Sequence, residues 1–187
     1  MTSEASHFSS INKLLYCVPS LRKTESKVLV ATPTYAMHLA EVAREQGYET
    51  ATSTIRCVLV AGEPGGSLEA VRQQISSAWG ADVLDHAGAT EIGPWGVGCL
   101  EHSGLEVIEE WFHPEFLGIS TSRPAREGES AELVLTTLGR NGCPVIRYRT
   151  GDVVHPVWPT EQEVAAGASP RVWLKGGILE SSVQRIY

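Results

Sequence analysis

The chain contains 187 residues, with 15 Lys and Arg against 22 Asp and Glu and a formal net charge of −7. This acidic balance excludes a protein that binds nucleic acid through bulk positive charge. With 42% apolar and 20% charged residues, the composition is that of a globular domain. No apolar run approaches the roughly 20 residues of a membrane-spanning helix, and residues 1–10 have neither a basic leader nor an apolar core. We therefore expect a cytoplasmic protein with neither nucleic-acid nor membrane partners.

The first half of the sequence begins with a polar segment and continues with three apolar runs. Residues 1–26 are polar and irregular, and we interpret them as an N-terminal arm. The runs at 27–31 and 55–61 are those of buried strands, and 82–85 is a third, shorter strand.

Between these predicted strands lie two amphipathic segments. Apolar side chains at helical spacing predict one helix over 35–46, and a second helix that Ser67 caps and Gly80 ends. The resulting βαβαβ order predicts an α/β subdomain over 27–98 with an open, right-handed parallel sheet. In such sheets ligands bind at the carboxyl ends of the strands.

After Pro94 the apolar pattern changes from helical spacing to alternation. Six short strands are predicted, at 105–108, 111–116, 132–136, 145–148, 153–157 and 171–174. Two polar segments, 122–130 and 161–170, are predicted to be loops. We expect residues 99–179 to form an antiparallel β-rich subdomain or a small barrel, with a truncated hinge or tail at 180–187.

Two glycine-containing segments follow predicted strands at the edge where ligands bind. Gly62-Glu63-Pro64-Gly65-Gly66 opens a helix, where backbone N–H groups can face a nucleotide. A tight βα turn explains the same residues, because the segment lacks the Lys-Ser/Thr of a phosphate-binding loop. Gly88-Ala89-Thr90-Glu91 offers a hydroxyl and a carboxylate that suit a phosphate and its Mg²⁺. A capped loop is the alternative interpretation of this second segment.

A third polar segment, Arg147-Tyr148-Arg149-Thr150-Gly151-Asp152, follows a predicted strand. It contains two cations, a turn glycine and a carboxylate that can accept hydrogen bonds from the hydroxyl pair of a sugar. A charged β-turn explains the composition as well, and the chemistry alone does not choose between the two.

Together, these segments resemble the adenylate-forming superfamily, and most closely its phenylacetate-CoA ligase branch. The resemblance covers roughly residues 27–179 and implies that the chain is a central fragment of such an enzyme. Three stretches carry it: Ala31-Thr32-Pro33-Thr34-Tyr35; Ala61-Gly62-Glu63-Pro64, through Trp79-Gly80-Ala81, to Gly88-Ala89-Thr90-Glu91; and Glu132-Leu133-Val134-Leu135-Thr136-Thr137-Leu138, leading to 146–152.

The resemblance implies that ATP activates a small carboxylic acid to an acyl-adenylate with release of pyrophosphate, and that coenzyme A then forms the thioester. It implies catalytic roles for Thr90, at the α-phosphate, and for Glu91, as the Mg²⁺ ligand. Asp152 would bind the ribose hydroxyls. The other nucleotide-binding residues that it implies are Arg149, Gly88 and, along the adenine slot, the backbone of Gly62, Glu63 and Pro64.

The chain departs from the family pattern at three places. Ala87, preceded by His86, stands where the family has Tyr before its Gly-x-Thr-Glu. The Ser/Thr/Gly-rich phosphate loop has no counterpart in the arm, and Glu180-Ser181-Ser182-Val183 stands where the family continues toward a domain with a catalytic Lys. We therefore expect a ligase fragment that is inactive alone. The alternative is a non-catalytic nucleotide-binding or dimerisation module on the same scaffold.

The four cysteines, Cys17, Cys57, Cys99 and Cys143, form no C-x-x-C motif, so we expect free thiols, with Cys57 in the core. Cys99 and His102 form a C-x-x-H pair near Glu106, which permits a site for a soft metal. Four ligands at finger or ribbon spacing are missing, so the sequence alone does not favour zinc.

Aromatic residues in the second half predict self-association. We expect a set of large apolar side chains to be exposed where neighbouring subdomains pack in the full-length family, and such patches mark interfaces. The set is Trp95, Trp111, Phe112, Phe116 and Ile186-Tyr187. The sequence thus predicts a homodimer.

Overall fold

The computed structural model describes residues 18–21, 23, 25–100 and 102–181. The strands are β1 (Val28–Ala31), β2 (Cys57–Ala61), β3 (Asp82–Ala89), β4 (Gly93–Val97), β5 (Gly104–Val107), β6 (Phe112–Gly118), β7 (Ala131–Thr137), β8 (Tyr148–Val157) and β9 (Trp173–Ser181). The helices with described bounds are α1 (Pro33–Glu45), α2 (Glu69–Trp79) and α3 (Glu161–Ala165), with a 3₁₀-helix at Thr50–Thr52. Within the described residues the strands form one sheet in the order β1-β2-β3-β4-β5-β9-β8-β7-β6.

A short segment of the predicted arm is helical and packs on the protein. Residues 18–21 are helical, where the sequence predicted an irregular segment. Val18 is buried and Leu21 packs against the same core. Residues three apart lie on one side of a helix, so this spacing explains how both side chains reach the core. Positions 1–17 of the predicted arm lie outside the described residues.

The parallel half matches the sequence prediction. β1 pairs with β2 and β2 with β3, both in parallel. The hydroxyl of Thr32 accepts a hydrogen bond from the backbone N–H of Tyr35, and Pro33 occupies the first turn, so α1 begins as expected for a capped helix. The predicted face of α1 is buried, through Ala36, Leu39, Ala40 and Ala43.

Helix α2 begins differently from the prediction. Its N-cap is Leu68, which makes no side-chain cap, and Leu68 is exposed. Ser67 is not the cap, because its hydroxyl donates to a carboxylate oxygen of Asp85, 2.5 Å away on β3. The end of the helix is as predicted, since Gly80 adopts the left-handed conformation with φ of 59°.

The second half is antiparallel, as predicted, and continues the same sheet. β3 pairs with β4 and β4 with β5, and all the remaining pairings are antiparallel. β1 and β6 are the two edges of the described sheet, so the sheet stays open and the barrel alternative is not observed. The subdomain boundary at 98/99 stays a prediction, since the sheet runs through it without interruption.

Four elements of this half differ from the sequence prediction. β4 was not predicted, and the strand predicted at 153–157 lies within the longer strand β8. The strand predicted at 145–148 is wrong except for Tyr148, because residues 145–147 precede β8 and are not in a strand. The predicted loop at 161–170 contains α3, which Thr160 and Glu163 start with a reciprocal capping box. β9 continues beyond the predicted 171–174 and pairs with both β5 and β8.

Two apolar cores lie along the sheet, one under the parallel half and one under the antiparallel half. The second core contains Trp95, Phe112 and Phe116, all of which are buried. The expectation that these three side chains are exposed is therefore wrong, because their strands turn them into the core. Trp111 is exposed as expected, and Ile186-Tyr187 lies outside the described residues.

No helix in the described part of the chain is long and apolar enough to cross a bilayer. Cys57, Cys99 and Cys143 form no disulfide among the described residues, and Cys17 lies outside them. Cys57 is half-buried, and its burial raises the pKa of the thiol, which keeps it protonated and weakly reactive.

Candidate functional site

The carboxyl end of β2 and the middle of β3 open onto the larger of two adjoining cavities. Its volume is about 540 Å³. The turn after β2 and the middle of β3 supply one side, and β5 and β9 supply the other. The residues that matter below are Gly62, Glu63, Pro64, Ser67, Asp85, His86, Leu105, Gly176 and Ser181.

A second cavity, of about 440 Å³, adjoins the first at the ends of β2 and β3. Gly88 and Thr90 line it, together with Ala61, Ala89, Gly93 and Pro94. Gly62 and His86 line both cavities. The two glycine-containing segments predicted as ligand-binding therefore meet at one edge of the sheet, with His86 between the two spaces.

Glu63 ties two loops together at this edge. The Thr34 hydroxyl donates to a Glu63 carboxylate oxygen at 2.6 Å, and the Thr34 backbone N–H donates to the same oxygen at 3.3 Å. A carboxylate beside the first turn of a helix is favourable. The Glu63 side chain therefore holds the turn after β2 against the start of α1, and the turn's backbone remains the part that can face a ligand.

A polar pair that the sequence prediction missed, the buried Ser67 and the half-buried Asp85, forms the floor of the larger cavity. The Asp85 carboxylate accepts the Ser67 hydroxyl at one oxygen and the backbone N–H of His86 at the other, the second at 2.9 Å. Burial raises the pKa of the Asp85 carboxyl group, and the two hydrogen bonds oppose that shift. Ser67 and Asp85 are 18 residues apart, so only the parallel register that brings the turn beside β3 places them together.

Thr90 and Glu91 lie immediately after β3 and are both exposed. The guanidinium of Arg140 donates to the backbone carbonyl of Glu91 at 2.6 Å. This contact fixes the backbone of the turn and leaves the Glu91 carboxylate at the surface. A divalent cation with bound water could therefore reach it beside the Thr90 hydroxyl.

Asp152 and Arg149 of β8 do not line either cavity. Asp152 is 0% exposed, and its backbone N–H donates to the Thr150 hydroxyl at 3.1 Å. Its partner across the sheet is Ser181, which does line the larger cavity. Arg149 is exposed and forms a two-point ion pair with Glu132, in which Nε donates to a carboxylate oxygen at 2.9 Å.

Curated proteins related to the chain share one activity name. The phenylacetate-coenzyme A ligase of Escherichia coli (strain K12) is 33% identical over 137 residues, which is 71% of this chain and 31% of that protein. The phenylacetate-coenzyme A ligase of Thermus thermophilus is 34% identical over 130 residues, 68% of this chain and 29% of that protein. The chain thus spans less than a third of the length of these relatives. No family model matches the chain.

Solved structures show the same relationship over more of the chain. An open conformation of 2-hydroxyisobutyryl-CoA ligase, solved in complex with 2-HIB-AMP and CoA, superposes with a TM-score of 0.80 and 27% identity. The match covers 90% of this chain and 39% of that protein. It includes both halves of the sheet, since 90% coverage exceeds either half.

Proposed function

The chain belongs to the phenylacetate-coenzyme A ligase branch of the adenylate-forming superfamily, and from this premise we propose that it supplies part of the nucleotide- and acyl-binding site of a carboxylate–coenzyme A ligase. The observation that carries the proposal is the pair of adjoining cavities at the carboxyl ends of β2 and β3. Parallel sheets bind ligands at this edge, and both predicted ligand-binding segments reach it.

The proposed reaction has two steps. A carboxylate oxygen of the substrate attacks the α-phosphorus of ATP, and pyrophosphate leaves. The sulfur of coenzyme A then loses its proton and attacks the acyl carbonyl, and AMP leaves. Little covalent chemistry falls to the protein, so positioning and charge stabilisation are its main contributions.

The residues at the two cavities have separate roles in this proposal. The backbone of Gly62 and Pro64 lines the adenine side, where groups on the turn can contact the base edge. The Thr90 hydroxyl donates to an α-phosphate oxygen from the second cavity. Glu91 would hold Mg²⁺ through its carboxylate, and the ion would supply positive charge beside the phosphates.

The adenine side lacks the family's tyrosine. Ala87 is buried in that position, and the half-buried His86 is the aromatic ring beside the larger cavity. We propose that His86 takes over part of the contact with the base. An imidazole presents a smaller π-face than a phenol, so we expect weaker nucleotide binding than a tyrosine would give.

The ribose contact is proposed for Asp152 and needs a local opening. The side chain is 0% exposed, while Ser181 beside it lines the larger cavity. Asp152 can accept from both ribose hydroxyls only if the end of β9 moves aside. Such an opening costs binding free energy, which is a second reason to expect weak affinity.

Calorimetric titration with AMP tests the nucleotide site. We expect a dissociation constant for AMP in the high micromolar range or weaker, which corresponds to a binding free energy on the order of −4 to −5 kcal/mol. Asp152→Asn should weaken AMP binding by at least about tenfold. Asp82→Asn is the matched control, because Asp82 is exposed at the opposite end of β3. Thermal melting of each variant separates loss of binding from loss of fold.

Two outcomes of this titration contradict the proposal at different points. Unchanged affinity in Asp152→Asn would place the ribose contact on another residue. Absence of AMP binding at millimolar concentration in the well-folded chain would contradict the nucleotide site itself.

Because the chain spans less than a third of the length of its relatives, we expect no exchange of labelled pyrophosphate into ATP by this chain alone with aryl or fatty acids.

A further inference from the structure

A cluster of three metal-binding side chains lies outside both cavities, and we propose that Cys99, His102 and Glu106 bind a zinc-type divalent ion. Their ligand atoms all lie within 4.8 Å of one another. The Cys99 sulfur is 3.1 Å from Nε2 of His102, and that nitrogen is 3.7 Å from Oε1 of Glu106.

These separations fit a tetrahedral ion. Zn²⁺ binds sulfur at about 2.3 Å and nitrogen or oxygen at about 2.0–2.2 Å, so adjacent ligands of a tetrahedron lie roughly 3.4–3.6 Å apart. The observed 3.1 Å and 3.7 Å need shifts of a few tenths of an ångström, and the third pair, the Cys99 sulfur and the Glu106 carboxylate oxygen, lies within 4.8 Å. The side chain of His102 is 23% exposed, so water can supply the fourth ligand.

The donor types select the metal class. A thiolate and an imidazole are ligands for zinc and its borderline-soft neighbours, while Mg²⁺ and Ca²⁺ require oxygen ligands. On binding, the Cys99 thiol passes its proton to solvent, because the thiolate is the ligand. The site is therefore distinct in chemistry from the Mg²⁺ position proposed at Glu91.

Neighbouring groups hold the three ligands in place. Ser169 donates to Oε2 of Glu106 at 3.0 Å and Arg171 approaches the same oxygen at 3.3 Å, which directs Oε1 toward His102. The Arg171 guanidinium also bonds Glu110 at 2.6 Å, so its charge is largely balanced there. The indole of Trp173 stacks on the His102 ring with centroids 4.0 Å apart and fixes its plane. Partners of this kind orient metal ligands in proteins.

Hydrogen bonds hold the backbone of the β4–β5 loop at Cys99 and His102, the two ligands that this loop carries. The guanidinium of Arg72, on α2, donates to the backbone carbonyls of His102 at 2.9 Å and Cys99 at 3.4 Å. The Ser103 carbonyl accepts the N–H of Gly176 at 3.0 Å, and Gly176 lines the larger cavity. A bound ion would therefore join the β4–β5 loop to β5 at one wall of the nucleotide cavity.

Titration of the metal-free full chain with Co²⁺ tests the site by spectroscopy. We expect one equivalent to give tetrahedral d–d bands and a thiolate-to-cobalt charge-transfer band, and Zn²⁺ to displace the cobalt. Cys99→Ser should abolish the charge-transfer band. Cys143→Ser is the matched control, since Cys143 is an exposed thiol outside the cluster, and it should keep the band.

Two gentler variants keep the proposal testable if Cys99→Ser unfolds. Glu106→Gln preserves the shape of the side chain and should weaken binding by at least about tenfold, and Ser169→Ala should weaken it by roughly 10–100-fold through the ligand it orients. No stoichiometric metal in the folded chain would overturn the proposal and leave a hydrogen-bonded thiol–imidazole pair. A charge-transfer band that survives in Cys99→Ser would also overturn it. Neither outcome depends on AMP binding.

Discussion

The Asp85 carboxyl group is half-buried at the floor of the larger cavity, where it accepts hydrogen bonds from Ser67 and from the His86 backbone. Burial disfavours the charged form and raises the pKa, and the hydrogen bonds only partly offset this. The Asp85 carboxyl group therefore becomes charged at a higher pH than an exposed aspartate does. An anionic ligand such as a nucleotide would meet less repulsion when Asp85 is protonated.

The raised pKa of Asp85 predicts a pH-dependent stability difference. Between the ordinary value of 3.8 and the higher folded-state value, the folded chain binds the proton more tightly than the unfolded chain, so Asp85 lowers the free energy of unfolding as pH rises through this window. Asp85→Asn removes the effect. We expect the stability of Asp85→Asn relative to the parent chain to be higher near pH 7 than near pH 4, measured by urea unfolding.

A variant of opposite sign controls this measurement. Hydrogen bonding from Arg171 lowers the pKa of Glu110, so Glu110 favours the folded state as pH rises above the lowered value. Glu110→Gln should therefore lose, rather than gain, relative stability between the same two pH values, by a small amount because Glu110 is exposed. A parallel trend in both variants would contradict the assignment to Asp85.

Local residue chemistry predicted one part of the candidate site and missed another. Gly62 and Thr90 follow strands and carry recognisable turn and phosphate-contact chemistry, so the sequence could place them at the ligand edge. Ser67 was predicted as a helix cap because serine commonly has that role. Its contact with Asp85 depends on a register between distant segments, and a local pattern carries no information about that register.

At the scale of elements, the turn between β2 and α2 is packed tightly against β3. A Cβ atom added at Gly66 would lie 2.5 Å from a carboxylate oxygen of Asp85 and 2.6 Å from the side chain of Val60. Neither neighbour can move easily, because Val60 is buried and Asp85 is held by hydrogen bonds on both oxygens. Position 66 therefore needs glycine for space, whereas Gly62 and Gly65 of the same turn have positive φ.

Gly66→Ala tests this packing. We expect it to lower the free energy of unfolding by about 1–3 kcal/mol, the usual cost of overpacking, and to reduce the volume available at the cavity floor. Gly142→Ala is the matched control, because Gly142 is exposed and has open space where the Cβ would lie. Its effect should stay within about 0.5 kcal/mol. Denaturant unfolding of the two variants makes the comparison, and equal effects would contradict the tight turn.

The elements that the sequence missed have identifiable causes. β4 contains Gly93, Pro94 and Gly96, residues that normally indicate turns, yet β3 and β5 pair on its two sides. β8 runs through Gly151 without a break and carries register shifts against both neighbours. In both cases pairing with adjacent strands overrides local propensity. The βαβαβ half was predictable because its apolar periods and helix ends agree.

At the scale of the whole molecule, one sheet joins two apolar cores, and the candidate nucleotide site lies at the carboxyl ends of its parallel strands. β5 and β9 close the larger cavity from the antiparallel half. Each half thus supplies one wall, so neither half alone would form the cavity. The superposition on 2-hydroxyisobutyryl-CoA ligase covers 90% of the chain and therefore includes parts of both halves.

Among the described residues, no helix covers one face of the parallel half, and that face carries apolar side chains. Because β1, β2 and β3 are neighbours in sequence order and their crossovers are right-handed, α1 and α2 lie on the same face of the sheet. Leu29 packs on that side, whereas Val28 and Val30 on the other side are 52% and 67% exposed. β1 is also an edge of the described sheet, and exposed apolar edge strands favour association.

We therefore predict that the chain self-associates through the β1 edge, rather than through the buried aromatics of the second half. A stable interface buries at least about 1,000 Å² in total. The net charge of −7 opposes association only weakly, because physiological salt screens the repulsion between charges more than about 8 Å apart. Light scattering at roughly 100 µM, well above the dissociation constant such an interface should have, should give the mass of a homodimer or a larger assembly.

Val30→Lys should return the chain to the monomer, because a charge replaces the exposed valine. Ile146→Lys, at a 75% exposed apolar residue in the other half, is the control and should leave the mass unchanged. A monomeric parent chain would contradict self-association, and dissociation by Ile146→Lys alone would move the interface away from β1.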